Sequence, residues 1–208
     1  MSVALIVDLV RSRDMPDRAL AQRAILDAFH TAETRDPARR PLWATVGDEF
    51  QAEYAGLRGA LRAITLAQLL LPEGIEARIG LGLGDSTVVT DTPSPILDGT
   101  AWWRARQAIE EARAGEHGRI PLQRSAFVGP EEEAGALVSA GLHLRDQIIG
   151  SMRPRSRRIA AAILLGQTQG EIATTERISQ SAVSQDLRRS GAIGLIAADD
   201  ALREDNRP

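Results

Sequence analysis

The sequence predicts an α+β fold over residues 1–150, followed by a small all-α unit over residues 151–208. Three observations carry this prediction. Through the first hundred residues the apolar pattern changes between the strand period of 2 and the helix period of 3.6, in the order strand, helix, hairpin, helix, strand. From Arg157 to Ile196 only helical spacing recurs. The charge divides the same way: residues 151–189 hold 7 Arg against 3 acids, whereas residues 1–150 hold 16 Arg against 21 acids. The element order suggests an antiparallel-containing sheet with helices on one face, of ferredoxin-like or palm type.

Ser2 to Leu9 is nearly continuously apolar and reads as a central strand with Asp8 at its end. Asp14 and Pro16 mark the start of a helix whose apolar positions are Leu20, Ala24, Ile25, Ala28 and Phe29. Leu42, Ala44 and Val46 then alternate with Trp43 and Thr45, the chain turns at Gly47 and Asp48, and Phe50, Ala52 and Tyr54 resume the alternation, which makes a hairpin. Residues 56–72 form an amphipathic helix stopped by Pro72. Next, Ala77, Ile79, Leu81 and Leu83 alternate with Arg78, Gly80, Gly82 and Gly84, a strand with one almost bare face. A bare face admits a close backbone, either a packed helix or a ligand. A proline-containing loop leads to a helix from Thr100 to near Gly115, on which Trp102 and Trp103 cannot share a face, nor Arg104 and Arg106. Residues 119–128 read as one or two short strands, 131–140 as a short helix, and 142–156 as a connection.

Composition narrows the chemistry. Aromatics make up 3% of the 208 residues, so Leu, Ile, Val and Ala must fill the core. There is no Cys, which excludes disulfides and thiolate metal sites, and three scattered His make a His-based zinc site unsuitable. All 25 basic residues are Arg, so every cation can make a forked contact to phosphate or carboxylate. The N-terminal apolar run has no basic flank and contains Asp8, and no run approaches the roughly 20 apolar residues that span a bilayer. A cytoplasmic protein with no membrane partner is expected.

In a palm-like sheet the end of the first strand and the tip of the hairpin lie side by side, which brings Asp8 and Asp48 together. Two such carboxylates repel unless a cation separates them, and Mg2+ or Mn2+ suits oxygen ligands shared with substrate phosphates. Arg11, Ser12, Arg13 and Arg18 follow Asp8 in a basic loop and helix start, and with the backbone at Gly47 they can hold a polyphosphate. The plainer alternative pairs these arginines with Asp14 and Asp17. The implied ligand is a nucleotide, ATP, GTP or a cyclic derivative, with its metal.

ALIVDLVRSR with the following Asp17 and Arg18, then ATVGDEFQAEY, RIGLGLG and LDGTAWWRAR, resemble the successive motifs of the SatD family over most of residues 3–106. More distantly the same motifs resemble class III nucleotidyl cyclases, in which Asp8 and Asp48 match the two metal ligands, and VGDEF resembles the diguanylate cyclase signature. The resemblance implies a cyclase-like palm that binds a metal-nucleotide. Ala44 stands where these cyclases carry a base-reading Lys. Arg106 matches their catalytic Arg, but Trp102 replaces the Asn that precedes it. Binding without efficient turnover is the expectation, and an active nucleotidyl cyclase or nucleotidyltransferase is the alternative.

In the C-terminal unit, Ile159 to Leu165, Thr168 to Thr175 and Ser179 to Ser190 can form three helices, the last starting on a Ser cap. The run QGEIA followed by ISQSAVSQDLRR resembles a helix-turn-helix of the sigma-factor-region-four or LuxR kind, with Ile172, Ala173, Ile178, Val183 and Leu187 as its core. By that resemblance Gln180, Ser181, Ser184 and Gln185 face base edges of double-stranded DNA, and Arg155, Arg157, Arg188 and Arg189 hold phosphates. Glu176 and Arg177 depart from the usual apolar residue and turn Gly, and a non-glycine residue at the turn is expected to take a positive φ. The whole reads as a DNA-binding transcriptional regulator with a metal-nucleotide sensor, working as a homodimer.

Overall fold

Val3, Leu5, Val7 and Leu9 alternate along the chain with Ala4, Ile6 and Asp8, and all seven are buried. A strand buried on both faces must lie inside a sheet covered on both sides. The computed structural model describes residues 1–45, 47–90 and 96–203, apart from the side chains of Arg13 and Glu132. In it, β1 (Ser2–Leu9) is the middle of a five-stranded mixed sheet, with β2 (Arg40–Ala44) and β3 (Glu49–Tyr54) on one side and β4 (Ala77–Gly84) and β7 (Ser125–Val128) on the other. The order is β2-β3-β1-β4-β7, antiparallel except for the parallel β4–β7 pair. The first four strands with the crossover helices α1 (Arg18–Glu33) and α2 (Leu57–Leu70) have the ferredoxin-like arrangement. Val46, an expected hairpin position, lies outside the described residues.

The sheet has helices on both faces, which corrects the one-faced expectation. On one face the odd-numbered residues of β1 pack with Ile25, Phe29, Ile64 and Leu69 of α1 and α2. On the other, Ala4 and Ile6 meet Ala101, Trp102, Ala105 and Ile109 of α3 (Thr100–His117). The glycine row of β4 explains why α3 fits there: a Cβ on Gly80 or Gly82 would strike the α3 backbone at Ala105 and Ile109, or at Ala101 and Ala105. The bare face therefore receives a helix. α1 begins at Arg18, one residue beyond Asp17, whose carboxylate caps it by accepting from Leu20 N at 2.8 Å.

Two further expectations are revised. Residues read as a short helix plus a connection form one helix, α4 (Glu132–Ser151), because its middle buries Arg145 and Asp146, which interrupt the apolar period while pairing with each other at 2.6 Å. The segment before α3 includes an exposed ribbon of β5 (Thr87–Thr90) and β6 (Ile96–Asp98), while the region 119–128 yields the single strand β7, one of its two expected forms. The C-terminal region is α5 (Pro154–Leu164), α6 (Gln169–Glu176), α7 (Gln180–Arg189) and α8 (Ala192–Arg203). Its buried residues Ile159, Leu164, Ile172, Val183 and Leu187 are continuous with the core under α1 and α2. Among the described residues, no helix is long and apolar enough to cross a membrane.

Candidate functional site

Strand register sets three charged residues side by side on the α3 face: Asp8 of β1 lies opposite Glu49 of β3 and opposite Arg78 of β4. α3 closes over them with Arg106 and Arg113, seven residues apart and therefore on one helical face. Arg106 grips Glu49 with both terminal nitrogens, at 2.5 and 2.8 Å. Arg113 donates to Asp8 Oδ2 at 2.7 Å and Arg78 to Asp8 Oδ1 at 3.4 Å, while Arg78 also holds Glu116 at 2.5 Å. Asp8 is only 8% exposed. Burial pushes its pKa up, and the two guanidinium groups oppose that rise without overcoming it. Arg106 and Arg113 are pushed up above all by their hydrogen bonds to Glu49 and Asp8.

Of the expected metal pair, Asp8 is held by two guanidinium groups, those of Arg113 and Arg78. Asp48, exposed in the hairpin turn, acts electrostatically on the same Arg113 that binds Asp8. The contact itself is made by Asp8 alone, which Arg113 holds at 2.7 Å. The donor chemistry fits a divalent ion held by one or two carboxylates and completed by phosphate and water. Among the described residues, no three His, Asp or Glu side chains lie close enough to hold a metal by themselves.

The loop beside Asp8 is shaped by Arg11, which takes the left-handed conformation (φ 54) ahead of a single 3-10 turn, Ser12–Asp14. Arg11 is exposed and Ser12 buried; the side chain of Arg13 is outside the described set. Arg18 is exposed in the first turn of α1, which holds no acid. Gly47 has φ +80, and its carbonyl accepts from Gln22 Nε2 at 2.8 Å, so α1 fastens the hairpin tip near the loop. Trp102 is buried against Trp43 and donates to Ser86 at 3.0 Å; Trp103 is 63% exposed.

A second surface lies on α7. Gln180, Ser181, Gln185, Arg188 and Arg189 are exposed, Ser184 is half-buried, and Arg188 donates to Ser184 at 3.0 Å. The preceding turn passes through Arg177 at φ 55, the positive value its position demands. Glu176 is accounted for by a forked pair with Arg158, at 2.8 and 2.7 Å. Thr168 and Glu171 form a capping box for α6, and Ser179 caps α7. Arg155 is exposed. Arg157 is the exception among the expected phosphate contacts: it is half-buried, donates to the Ile149 carbonyl at 3.2 Å, and has its pKa lowered by burial.

The SatD family model matches residues 2–196, from β1 into α8. The chain belongs to the SatD family. The match takes in both the acid-arginine site and the α7 surface of this SatD chain. No curated protein matches it. Among solved structures, a bacterial light-regulated adenylyl cyclase aligns with a TM-score of 0.42 and 14% identity, over 62% of this chain and 74% of that chain. Another structure of such a cyclase gives 0.43 and 13%, over 66% of this chain and 44% of that chain. Neither likeness is close enough to bear on chemistry.

Sequence reading of the SatD chain misses Glu49, Arg78 and Arg113 as members of the site. Arg113 carries a signal, its seven-residue spacing from Arg106 along one helix. Glu49 and Arg78 carry none until the register of β3 and β4 against β1 is known.

Proposed function

We propose that this SatD-family protein is a cytoplasmic, DNA-binding transcriptional regulator whose sheet senses a metal-bound nucleotide. The observation that carries the sensing role is the closed Glu49–Arg106 pair. The one side chain that matches a catalytic arginine is held by a carboxylate on both nitrogens, and a donor so occupied is not preorganised for a transition state. Binding needs less. Asp8 and Asp48 would hold Mg2+ or Mn2+, which would supply charge neutralisation between carboxylate and phosphate. Arg113 would then be free to pair with phosphate, together with Arg11, Ser12, Arg18 and the backbone at Gly47.

Two α7 residues exposed near its capped start, Gln180 and Ser181, with Ser184 and Gln185 one turn on, suit base edges in a major groove, as the second helix of a helix-turn-helix does. Arg155, Arg188 and Arg189 suit the flanking phosphates. Homodimer formation would cover the β5–β6 ribbon, whose Val88, Val89 and Ile96 are exposed beside Trp103, and would pair two half-sites.

Two measurements test this. Mg2+ with GTP or ATP at 100 times its Kd is expected to stabilise the protein by about 2.7 kcal/mol in a thermal melt. Asp48→Asn, in an exposed turn, is expected to remove that shift without lowering the unliganded melting temperature. A cyclic or linked product that disappears in Asp48→Asn would make the protein an enzyme instead. In DNA titrations on the protein's own promoter region, Gln185→Ala is expected to cost about 1–3 kcal/mol and Arg188→Ala to reduce the salt slope by about 1. Arg157→Ala, turned toward Ile149, should leave that slope unchanged; unaltered binding in the first two variants rules out the DNA reading.

A further inference from the structure

The guanidinium of Arg106 on α3 is taken by Glu49 of β3: Nη1 donates to Oε2 at 2.5 Å and Nη2 to Oε1 at 2.8 Å. A guanidinium makes the same forked contact with a phosphate, so the carboxylate stands where two phosphate oxygens could. The backbone on either side of the pair is fixed. The Glu49 carbonyl accepts from Thr45 N at 2.9 Å and from Thr45 Oγ1 at 3.0 Å, and Phe50 beside it is fully buried. Arg104 fastens α3 to the Leu83 carbonyl at 2.6 Å. Only side-chain rotation can part Glu49 from Arg106.

Two features make the pair reversible. The first is exposure: the Arg106 side chain is 51% exposed and that of Glu49 23%. An ion pair this open to water is weak, because solvent competes for both partners. The second is Gln51, two residues along β3 and therefore on the same face of the sheet, which donates to Glu49 Oε1 at 3.2 Å. When Arg106 leaves, Glu49 keeps Gln51 and solvent, so opening strands no carboxylate without a partner. The pair also stands next to the carboxylate on which the nucleotide reading centres, since Asp8 lies directly opposite Glu49 in the register of β1 and β3.

We propose that the Glu49–Arg106 pair is an autoinhibitory latch, in which the Glu49 carboxylate competes with phosphate for Arg106. The inference rests on the nucleotide reading above and adds to it the residue that sets the concentration at which the site fills. While the latch is shut Arg106 contributes nothing to binding. A phosphate group gains Arg106 only by displacing Glu49, and the apparent affinity is reduced to the fraction of molecules in which the pair is open.

The test is calorimetric titration of the full chain with Mg2+ and GTP, repeated with ATP. Glu49→Asp keeps the charge but, on a fixed backbone, is one methylene too short for the forked contact. It is expected to tighten nucleotide binding by about fivefold, the factor that an exposed pair at the strong end of its range withholds. Glu49→Gln, which removes the charge, is expected to tighten it at least as much. Placed in an Arg106→Ala background, Glu49→Asp should change affinity by less than about twofold, because the latch has already lost its other half. Tighter binding in Glu49→Gln with Glu49→Asp unchanged would mean that Glu49 repels phosphate by charge alone, and overturns the latch. So does nucleotide binding that neither substitution alters, which leaves the nucleotide reading standing. Absence of binding in the wild type and in every variant refutes the nucleotide reading itself, and the latch with it.

Discussion

Gly82→Ala is expected to destabilise the protein by about 3 kcal/mol, the upper end of what overpacking costs. The new methyl group would be driven into Ala101 and Ala105 of α3, and the atoms it meets are backbone, which no rotamer change can move aside. Neither partner can retreat. β4 is held between β1 and β7, and α3 is tied down by Arg104 to the Leu83 carbonyl at 2.6 Å, Arg106 to Glu49 and Arg113 to Asp8. The close fit follows from two repeats that nearly match: four helical residues rise about 6 Å and two strand residues about 6.6 Å. Ala101, Ala105 and Ile109 therefore come down in step on the glycine row Gly84, Gly82 and Gly80. For a chain of this length the loss corresponds to a melting temperature lower by roughly 6–12 °C. Gly59→Ala is the control. It lies in α2 with nothing within 4 Å of its Cβ, and it should raise stability by about 0.5–1 kcal/mol. If both substitutions behave alike, the α3 packing is not what the glycine row serves.

Asp199→Ala is expected to cost about 3 kcal/mol in urea unfolding, and to release α8 before the sheet unfolds. Asp199 is 3% exposed and accepts from Arg35 and Arg62, each at 3.1 Å, and from Arg203 at 2.7 Å; Arg62 also pairs with Asp36. Removing the carboxylate leaves half-buried guanidinium groups of α2 and of the turn after α1 without their partner. Hydrogen exchange should show protection lost first in residues 192–203.

The pH dependence of the same cluster has a definite sign. Burial raises the pKa of both Asp199 and Asp36 above 3.8, despite Arg62. The folded state therefore holds these protons more tightly than the unfolded chain does. The associated stability is full below pH 3.8 and is lost as pH rises through the raised folded values. Relative to Asp199→Asn, the wild-type protein should gain stability as the pH is lowered from 7 toward 4. A gap that closes on acidification would mean that the arginines, not burial, govern Asp199.

Much of the architecture was legible because its signals are local. The period of β1, the hairpin turn at Gly47 and Asp48, the Ser179 cap and the αL position at Arg177 each depend on a few consecutive residues. α4 was not legible as one helix, since its buried Arg145–Asp146 pair looks like a polar break until Gln68 and Ser125 are seen to satisfy it. Asp8 could be named from its place at the end of a strand, but not Arg78 and Arg113, which it meets.

By itself, then, the sequence determined the element order from β1 to β4, the Ser179 cap and the bare face on β4, because propensity and periodicity act over one or two turns of chain. The tertiary structure alone decided that the bare face takes a helix, that Arg113 joins Asp8 across 105 residues, and that Glu49 closes on Arg106. Those choices rest on strand register and on burial, which set the charges within hydrogen-bonding distance where solvent screening is weak. No local pattern encodes that proximity.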